Sequence, residues 1–248
     1  MSATAPELSI IIPAFNEEKR LARTLERVRD YIVEKGFDAE VIVVDDGSSD
    51  GTAKLVEEWR TRMPNLRLAS NDRNRGKGYS VRHGMLEARG HIALFTDADL
   101  STPIEEADRL LAAVKHVEVA IGSRALDRSL ISVHQSRFRE LAGAIFNRIV
   151  RRMTGVDFRD TQCGFKAFIR QPATVIFEQQ RVEGFGFDPE ILFLAKRHGL
   201  RAVEIPVRWA HDPATKVHVV RDSLRMFRDL VRIRWNWLLG CYPRRAKE

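Results

Sequence analysis

Apolar residues in the first half of the chain alternate between compact runs and helical spacing. Residues 8–12 and 40–44 are short runs rich in Ile and Val, typical of strands that are buried on both faces of a parallel sheet. Between them, apolar residues recur every three or four positions, as on one face of a helix: Leu21, Leu25, Val28 and Ile32. The stretch therefore predicts a strand, a helix and a second strand, which together form a βαβ unit.

The same alternation continues to about residue 121. The pattern predicts three more helices and three more strands: helices over 52–62, over 78–88 and from Pro103, and strands over 66–69, 91–96 and 117–121. Proline suits the first turn of a helix, because that turn needs no N–H from it. The repetition indicates an α/β fold, with a doubly wound, Rossmann-like, mostly parallel sheet flanked by helices.

The pattern changes after Ser123. Residues 124–135 show no periodicity and are predicted to form a loop. A long amphipathic helix is predicted over about 136–153, with an apolar face formed by Phe138, Leu141, Ile145 and Ile149. Four further elements are predicted: a short apolar run at 165–169, a helix at 189–198, a strand at 202–207 and a helical tail at 217–239. We expect one domain over 1–216 and an amphipathic C-terminal extension over 217–248.

The helical tail carries a basic stripe beside an apolar one. The basic stripe contains Arg221, Arg225, Arg228 and Arg232, and the apolar stripe contains Val220, Leu224, Phe227 and Val231, followed by Trp235, Trp237 and Leu238. Basic amphipathic helices of this kind lie in the lipid interface, where tryptophan is enriched. The sequence also allows a second interpretation, in which the apolar stripe packs on its own domain and the arginines face water.

Composition indicates an ordinary globular protein. The chain has 248 residues, of which 44% are hydrophobic and 30% charged, and these values exclude disordered and fibrous classes. Two cysteines are too few for a disulfide framework, which favours a reducing, cytosolic setting. No apolar stretch approaches the roughly 18 residues that span a bilayer, and we expect no signal peptide.

Charge is distributed unevenly along the chain. The net charge is +7, but residues 1–120 carry 17 basic and 21 acidic side chains, whereas residues 121–248 carry 24 and 13. A basic half suits nucleic acid, a phosphorylated ligand or an anionic membrane, and charge alone does not choose among them. Aromatic residues there do not alternate with Lys and Arg as in a base-stacking platform, so we expect no nucleic-acid partner.

Polar clusters follow four of the predicted strands: PAFNEE at 13–18, DDGSSDGT at 45–52, DADLSTP at 97–103 and GSR at 122–124. Ligands of open parallel sheets bind outside the carboxyl ends of the strands, so we expect these clusters to converge on one crevice. Residues 48–50 have a second interpretation, as helix caps and turn residues. That interpretation does not extend to Asp45 and Asp46, which directly end a buried strand.

Asp97 and Asp99 carry the most specific chemistry. They are two residues apart, so an extended chain points both carboxylates to the same side. Two hard oxygen donors suit Mg²⁺ or Mn²⁺, which proteins hold with one or two carboxylates and substrate phosphates. The chain has neither a P-loop nor the glycine pattern of nicotinamide-binding folds. Lys77, flanked by glycines before a predicted helix, suits a phosphate; the alternative is a solvated lysine in a flexible loop.

Together with NRGKG at 74–78 and RDTQCGFKAF at 159–168, these motifs resemble those of family 2 inverting glycosyltransferases, closest to the dolichyl-phosphate β-glucosyltransferase and polyprenyl-phosphate hexosyltransferase branch. The resemblance implies a glycosyltransferase A fold, with catalysis in the domain over 1–216. It implies an enzyme that transfers a hexose, glucose from UDP-glucose first of all, with inversion onto a dolichyl or polyprenyl phosphate to give a β-linked product. It further implies a peripheral protein on the cytoplasmic face of a membrane.

The resemblance also assigns roles to individual residues. The nucleotide-sugar site would contain Pro13, Ala14, Asn16, Glu17, Asp45, Lys77, Asp97 and Gln162. Asp97 and Asp99 would hold Mg²⁺ or Mn²⁺, and Arg124 and Arg137 would face the acceptor phosphate. The catalytic residues would be Asp99, Asp160 and Arg124, with Asp160 near the sugar or the acceptor. The alternative for Asp160 is a loop carboxylate paired with Arg159.

One position departs from the pattern of the mannosyl relatives. Ser101 stands where they carry a metal-binding glutamine, which weakens a mannosyl assignment and leaves the third metal ligand open. Three alternatives remain: a polyprenyl-phosphate mannosyltransferase that uses GDP-mannose, another family 2 glycosyltransferase, and a nucleotidyltransferase. The last would release pyrophosphate rather than UDP.

Overall fold

The computed structural model describes residues 5–133, 137–211 and 219–243. Its strands are β1 (Leu8–Ala14), β2 (Ala39–Asp45), β3 (Leu66–Ser70), β4 (Ile92–Phe95), β5 (Val119–Ser123), β6 (Ile131–Val133), β7 (Lys166–Ile169), β8 (Ala202–Pro206) and β9 (Trp209–Ala210). Its helices are α1 (Glu18–Lys35), α2 (Thr52–Trp59), α3 (Lys77–Glu87), α4 (Ala107–Ala113), α5 (Arg137–Thr154), α6 (Arg170–Gln179), α7 (Phe187–Arg197) and α8 (Val219–Leu238).

Seven strands form one sheet in the order β3-β2-β1-β4-β7-β5-β8. Neighbouring strands in it are parallel except at β7, which runs antiparallel to both β4 and β5. The predicted mostly parallel, Rossmann-like sheet is confirmed. The direction of β7 is an addition, since the apolar run at 165–169 did not indicate which way the strand runs.

The central strands are buried on both faces. In β1, Ile10 and Ile12 pack with α1, α2 and α4, whereas Ile11 packs on the opposite face with α3. The predicted apolar face of α1 is buried as expected, at Leu21, Leu25, Val28 and Ile32. Two helical layers therefore cover the two faces of the sheet. Polar residues lie at the ends of its strands, which these layers do not cover.

The segment from residue 124 to 133, predicted as loop, contains β6, which pairs in parallel with β9. Ser132 and Val133 are exposed. A three-residue strand without a buried face has no hydrophobic alternation, which explains why the sequence pattern did not indicate it. Residues 134–135 of the predicted loop lie outside the described residues.

α5 and α8 each carry two apolar faces, and only one face of each meets the core. In α5 the core receives Phe146 and Val150, while Leu141 and Ile145 are 61% and 54% exposed. Of the predicted face, Leu141 and Ile145 therefore do not pack on the sheet, whereas Ile149 does pack against the core. The side chain of Phe138 lies outside the described residues. In α8, Leu230 and Ile233 are buried, so this helix packs on the rest of the domain. The predicted boundary between a domain over 1–216 and an extension over 217–248 stays a prediction.

A buried ion pair lies behind the carboxyl ends of the strands. Lys166, at the start of β7, is fully buried and pairs with Asp188 of α7. Its ammonium also donates to the carbonyl oxygen of Cys163 at 2.6 Å and lies 5.3 Å from the centre of the Phe95 ring. Removal of one partner from such a pair leaves an uncompensated charge in an apolar interior.

We therefore expect Lys166→Met to lower the free energy of unfolding by about 3–5 kcal/mol, measured by urea denaturation. The double variant Lys166→Met/Asp188→Leu should recover most of this loss, because it removes both charges. The control Arg60→Gln breaks an exposed pair with Glu57 and should cost less than about 1 kcal/mol. Equal losses in the single and double variants would show that the pair is not what stabilises this region.

Candidate active site

Five segments meet at one edge of the sheet. The carboxyl ends of β1, β2, β4 and β5 lead into the polar clusters that the sequence singled out. Because β7 is antiparallel, its amino end lies at that same edge and brings residues 160–164 there. The predicted convergence of polar clusters is therefore present, and the RDTQCG segment joins it through a reversed strand.

The loops after β1 and β2 are fastened to each other by Asn16. Its backbone N–H donates to Ser48 Oγ at 2.9 Å, and its side-chain oxygen accepts from the Ser49 N–H at 2.9 Å. Asp50 accepts from the Thr52 N–H at 3.0 Å. The turn and cap interpretation of residues 48–50 thus fits these contacts. Asn16 adopts a φ of 54°, so its backbone is in the left-handed region.

Ala14 and Asp45 are paired neighbours at the ends of β1 and β2. Asp45 is only 5% exposed, and its carboxylate accepts a hydrogen bond of 3.3 Å from the Ser48 N–H. Pro13 occupies the preceding position of β1. These residues form the floor between the first two loops, and their predicted contact with the nucleoside stays a prediction.

Asp46 holds the loop that carries Lys77. Its buried carboxylate accepts hydrogen bonds from the Asn71 side chain at 2.7 Å and from the backbone N–H groups of Arg75 and Gly76 at 2.9 and 2.8 Å. Gly76 adopts a φ of 106°, and a Cβ there would lie 2.6 Å from a backbone oxygen. Sequence reasoning noted Asp46 but assigned it no role; its position directly after the buried strand β2 was the available signal.

Lys77 forms an ion pair with Asp97. Burial alone lowers the pKa of the Lys77 ammonium, but the charges of Asp97 and Asp188 hold it above its usual value. A Cβ at Gly164 would lie 2.2 Å from an oxygen of the Asp97 carboxylate, so any side chain there would displace that carboxylate from its present position. The second interpretation of the sequence, a solvated lysine in a flexible loop, therefore does not fit, because Lys77 pairs with Asp97.

Asp99 lies beside Asp97 with a different partner. Burial and the charge of Asp97 raise the pKa of the Asp99 carboxyl above its usual value. Arg20 Nη1 lies 3.9 Å from Asp99 Oδ2, and Glu17 holds Arg20 through a 2.8 Å bond from Nη2. Sequence reasoning missed Arg20, although its position three residues after Glu17, the N-cap residue of α1, was a signal. Glu17 therefore acts here as a partner of Arg20.

The two carboxylates suit a divalent cation. Asp97 and Asp99 are neighbouring hard oxygen donors in a partly buried setting, and burial together with the charge of Asp97 raises the pKa of the Asp99 carboxyl. Among the described residues, no cluster of three or more His, Cys, Asp or Glu side chains surrounds them. Ser101 is near through its backbone, which donates to Asp99 Oδ1 at 2.9 Å. Two protein carboxylates fit Mg²⁺ or Mn²⁺ when substrate phosphates complete the shell.

Arg124 and Asp160 form a bidentate pair. Arg124 Nε and Nη2 donate to the two oxygens of Asp160 at 2.6 and 2.8 Å, and the Arg124 N–H donates at 3.0 Å. Burial alone raises the pKa of the Asp160 carboxyl, but Arg124 holds it below its usual value. The sequence alternative, pairing with Arg159, is not what these contacts show. Glu204 on β8 fixes the segment by accepting from the Asp160 N–H at 2.7 Å.

Two predicted residues are placed less closely. The Gln162 N–H donates to Asp160 Oδ1 at 3.1 Å, but its side chain points toward Met226 of α8, with Nε2 3.8 Å from the sulfur. The side chain of Arg137, predicted to face the acceptor phosphate, lies outside the described part of the chain. Trp209, which no sequence motif indicated, lies under Arg124 with its ring centre 5.4 Å from the guanidinium carbon.

Curated relatives share most of the chain. The dolichyl-phosphate beta-glucosyltransferase of Dictyostelium discoideum is 36% identical over 249 residues, covering 95% of this chain and 76% of the relative. The proteins with that same name from Saccharomyces cerevisiae and Homo sapiens are 35% and 34% identical, each over 95% of this chain, and are covered to 76% and 77%.

Solved structures share the fold. Glucosyl-3-phosphoglycerate synthase from Mycobacterium tuberculosis, in complex with Mn²⁺, UDP and glucosyl-3-phosphoglycerate, aligns with a TM-score of 0.62 at 19% identity, over 98% of this chain and 82% of that one. The mannosyltransferase PcManGT from Pyrobaculum calidifontis, in complex with GDP-Man and Mn²⁺, aligns with a TM-score of 0.61 at 22% identity, over 93% and 65%. The expected glycosyltransferase A fold is confirmed.

The sequence model described as Glycosyl transferase family 2 matches residues 9–177, which span all five segments of the site. The match begins in β1 and ends in α6. Because this match covers more than half of the chain, and the curated relatives are similar over nearly all of it, the chain belongs to glycosyl transferase family 2.

Proposed function

We propose that this enzyme transfers glucose from UDP-glucose onto a dolichyl or polyprenyl phosphate, giving a β-linked lipid phosphosugar. The observation that carries the proposal is the placement of the two carboxylates and the Arg124–Asp160 pair at one edge, joined by residues 160–164. The choice of sugar and acceptor rests on the relatives named dolichyl-phosphate beta-glucosyltransferase, which are similar over nearly the whole chain.

The donor is expected to lie between Asp45 and the Asp97–Asp99 pair. Pro13, Ala14 and Asn16 border the nucleoside end, and Lys77 stands beside the diphosphate. Asp97 and Asp99 would hold Mg²⁺ or Mn²⁺, which stabilises the charge that develops on the departing UDP. Lys77 contacts Asp97, and Arg20 lies near Asp99. Both cations would therefore also help to stabilise the negative charge that develops on the departing UDP.

The acceptor phosphate needs orientation more than a base. The second pKa of a phosphate monoester is about 6, so the nucleophile is largely a dianion at neutral pH. Its oxygen forms a bond to the anomeric carbon of glucose on the face opposite the UDP oxygen, whose bond to that carbon breaks. An α-linked donor then gives a β-linked product. Asp160 holds the planar guanidinium of Arg124 in one orientation through two hydrogen bonds. A guanidinium can donate two parallel hydrogen bonds to the oxygens of a phosphate.

Incubation with dolichyl phosphate and a panel of nucleotide sugars, followed by product analysis, tests this proposal. UDP-glucose should give the product and release UDP. Turnover with GDP-mannose alone would support the mannosyl alternative, and release of pyrophosphate would support a nucleotidyltransferase. Either result would contradict the proposed reaction.

We further propose that the enzyme works as a peripheral protein on the cytoplasmic face of a membrane. Among the described residues, no helix is long and apolar enough to cross a bilayer.

Helix α8 exposes a stripe of large apolar side chains opposite its buried face: Leu224, Phe227, Val231, Trp235 and Leu238. Arg225, Arg228 and Arg232 lie exposed beside it. Of the apolar residues that the sequence singled out on this helix, Leu224, Phe227 and Val231 are thus exposed, whereas Trp237 packs against Phe193 of the domain. The side chains of Val220 and Arg221 lie outside the described residues.

Asp99→Asn tests the metal role with little change in shape. We expect kcat to fall by about 10²–10³, the usual loss when one electrostatic stabiliser is removed, measured with UDP-glucose and dolichyl phosphate. Asp97→Asn should behave similarly. The control Asp30→Asn removes an exposed carboxylate of α1 and should leave the rate unchanged. Near-normal activity in the presence of EDTA would contradict the metal role itself.

Arg124→Lys keeps the charge but loses the planar fork. We expect kcat/KM for the acceptor to fall about 10- to 100-fold, since two charge-assisted hydrogen bonds are lost, with UDP affinity nearly unchanged. The nearby exposed Arg128 provides the control Arg128→Lys. A defect in UDP binding with normal acceptor kinetics would place Arg124 in the donor site instead. Arg137→Lys is expected to resemble Arg124→Lys.

The exposed stripe of α8 predicts binding to lipid vesicles. Trp235→Ser/Leu238→Ser should weaken binding to phosphatidylcholine vesicles at least about tenfold, because apolar area no longer leaves water, as measured by sedimentation. Val33→Ser changes an equally exposed apolar side chain on α1, which lies on the other face of the sheet, and should bind normally. Equal vesicle binding by both variants would show that α8 is not the membrane contact.

A further inference from the structure

The exposed face of α5 changes character along the helix. Leu141 and Ile145 are followed on the same face by Arg148 and Arg152, at offsets of four, seven and eleven residues from Leu141. Both arginines are exposed, as the two apolar residues are. One helix face thus presents apolar side chains first and guanidinium groups next. This sequence of apolar and then basic side chains along α5 suits a binding partner whose apolar region lies next to an anionic layer.

The basic half of this face borders a groove of about 720 Å³. Four arginines line the groove, and we call it the arginine groove: Arg148, Arg151 and Arg152 of α5, and Arg159 of the segment that follows. Its one lining carboxylate is Asp157, which is 84% exposed and pairs with Arg151. Among the described residues, Arg148, Arg152 and Arg159 have no carboxylate partner, so the groove has an uncompensated positive charge.

The walls of the arginine groove are fixed by hydrogen bonds. The Asn147 side chain donates to the carbonyl oxygens of Phe158 and Arg159 at 3.0 and 2.8 Å. Lys196 of α7 donates to the Gly155 carbonyl oxygen, and Val156 is buried. The backbone that carries the arginines is therefore held at both ends of the segment 155–159, and the guanidinium groups surround a preformed depression.

The chemistry of the arginine groove fits phosphate oxygens. Guanidinium forks bind phosphate in a bidentate manner, and several together favour an anion over a neutral ligand. In a lipid bilayer, phosphates lie outside the apolar region, which matches the order of apolar and basic side chains along α5. Neither Arg124 nor Asp160, which pair with each other, lines the groove.

We propose that the arginine groove binds the phosphate of an anionic phospholipid headgroup and so holds α5 against the bilayer, at a site distinct from that of the acceptor phosphate. The proposal rests on the membrane contact proposed above and adds its headgroup specificity. It accounts for part of the excess of basic residues after position 120, which the transfer reaction itself does not use.

The double variant Arg148→Gln/Arg152→Gln tests the proposal. Sedimentation with phosphatidylcholine vesicles that contain phosphatidylglycerol should show about 30-fold weaker partitioning, since each basic residue near an anionic surface contributes about 1 kcal/mol. Vesicles of phosphatidylcholine alone should bind the variant and the parent protein equally. The control Arg60→Gln/Arg62→Gln removes the same charge beyond α2, on the other face of the sheet, and should bind like the parent.

Equal partitioning of the groove variant and the control would overturn the proposal, and so would failure of the parent protein to bind anionic vesicles. A second arm uses inorganic phosphate without vesicles. If phosphate at millimolar concentration raises the melting temperature of the parent but not of the groove variant, and also abolishes vesicle binding, the groove is a site for a soluble anion and the lipid assignment is wrong.

Glucose transfer to a short-chain polyprenyl phosphate in detergent micelles separates this proposal from the proposed function. The groove variant should transfer glucose at the parental rate, because neither substituted arginine belongs to the site. Absence of transfer by the parent protein would contradict the proposed function while the vesicle experiment still decides the groove.

Discussion

Negative charge at one sheet edge is the constraint on which the rest of the structure depends. Parallel strands bring Asp45, Asp46, Asp97 and Asp99 to the same end, and each carboxylate needs a compensating group there. Asp46 is satisfied by backbone N–H groups, Asp97 by Lys77 and Asp99 in part by Arg20. The loops take the shapes that deliver these partners, so the architecture of this edge follows from the electrostatics of its own carboxylates.

The reversed strand β7 couples the two halves of the site. Its preceding segment touches Asp97 through Gly164 and holds Arg124 through Asp160, so a single short stretch contacts both the carboxylate proposed for the donor and the arginine proposed for the acceptor. Behind it, Lys166 and Asp188 place a compensated charge pair within the apolar core. In the proposed reaction, a shift of this segment would move the two substrates relative to each other and slow the transfer.

Sequence reasoning succeeded where one pattern has one structural outcome. Buried β-branched runs gave the sheet, and the D-x-D spacing gave two carboxylates on one side. It did not give the direction of β7, the helix α6 or the Arg124–Asp160 pair, since each depends on contacts between distant segments. In α5, helical spacing exists on two faces, at Leu141 and Ile145 and at Phe146 and Val150, and periodicity cannot tell which face meets the core.

In the proposed reaction, a divalent cation binds between Asp97 and Asp99 and the diphosphate of the donor. Linkage then requires that metal and nucleotide raise each other's affinity. Calorimetric titration of UDP in the presence and absence of Mn²⁺ measures this directly. The account predicts that saturating Mn²⁺ tightens UDP binding by about 5- to 150-fold, and that Asp99→Asn abolishes the effect. The same affinity for UDP with and without Mn²⁺ would contradict it.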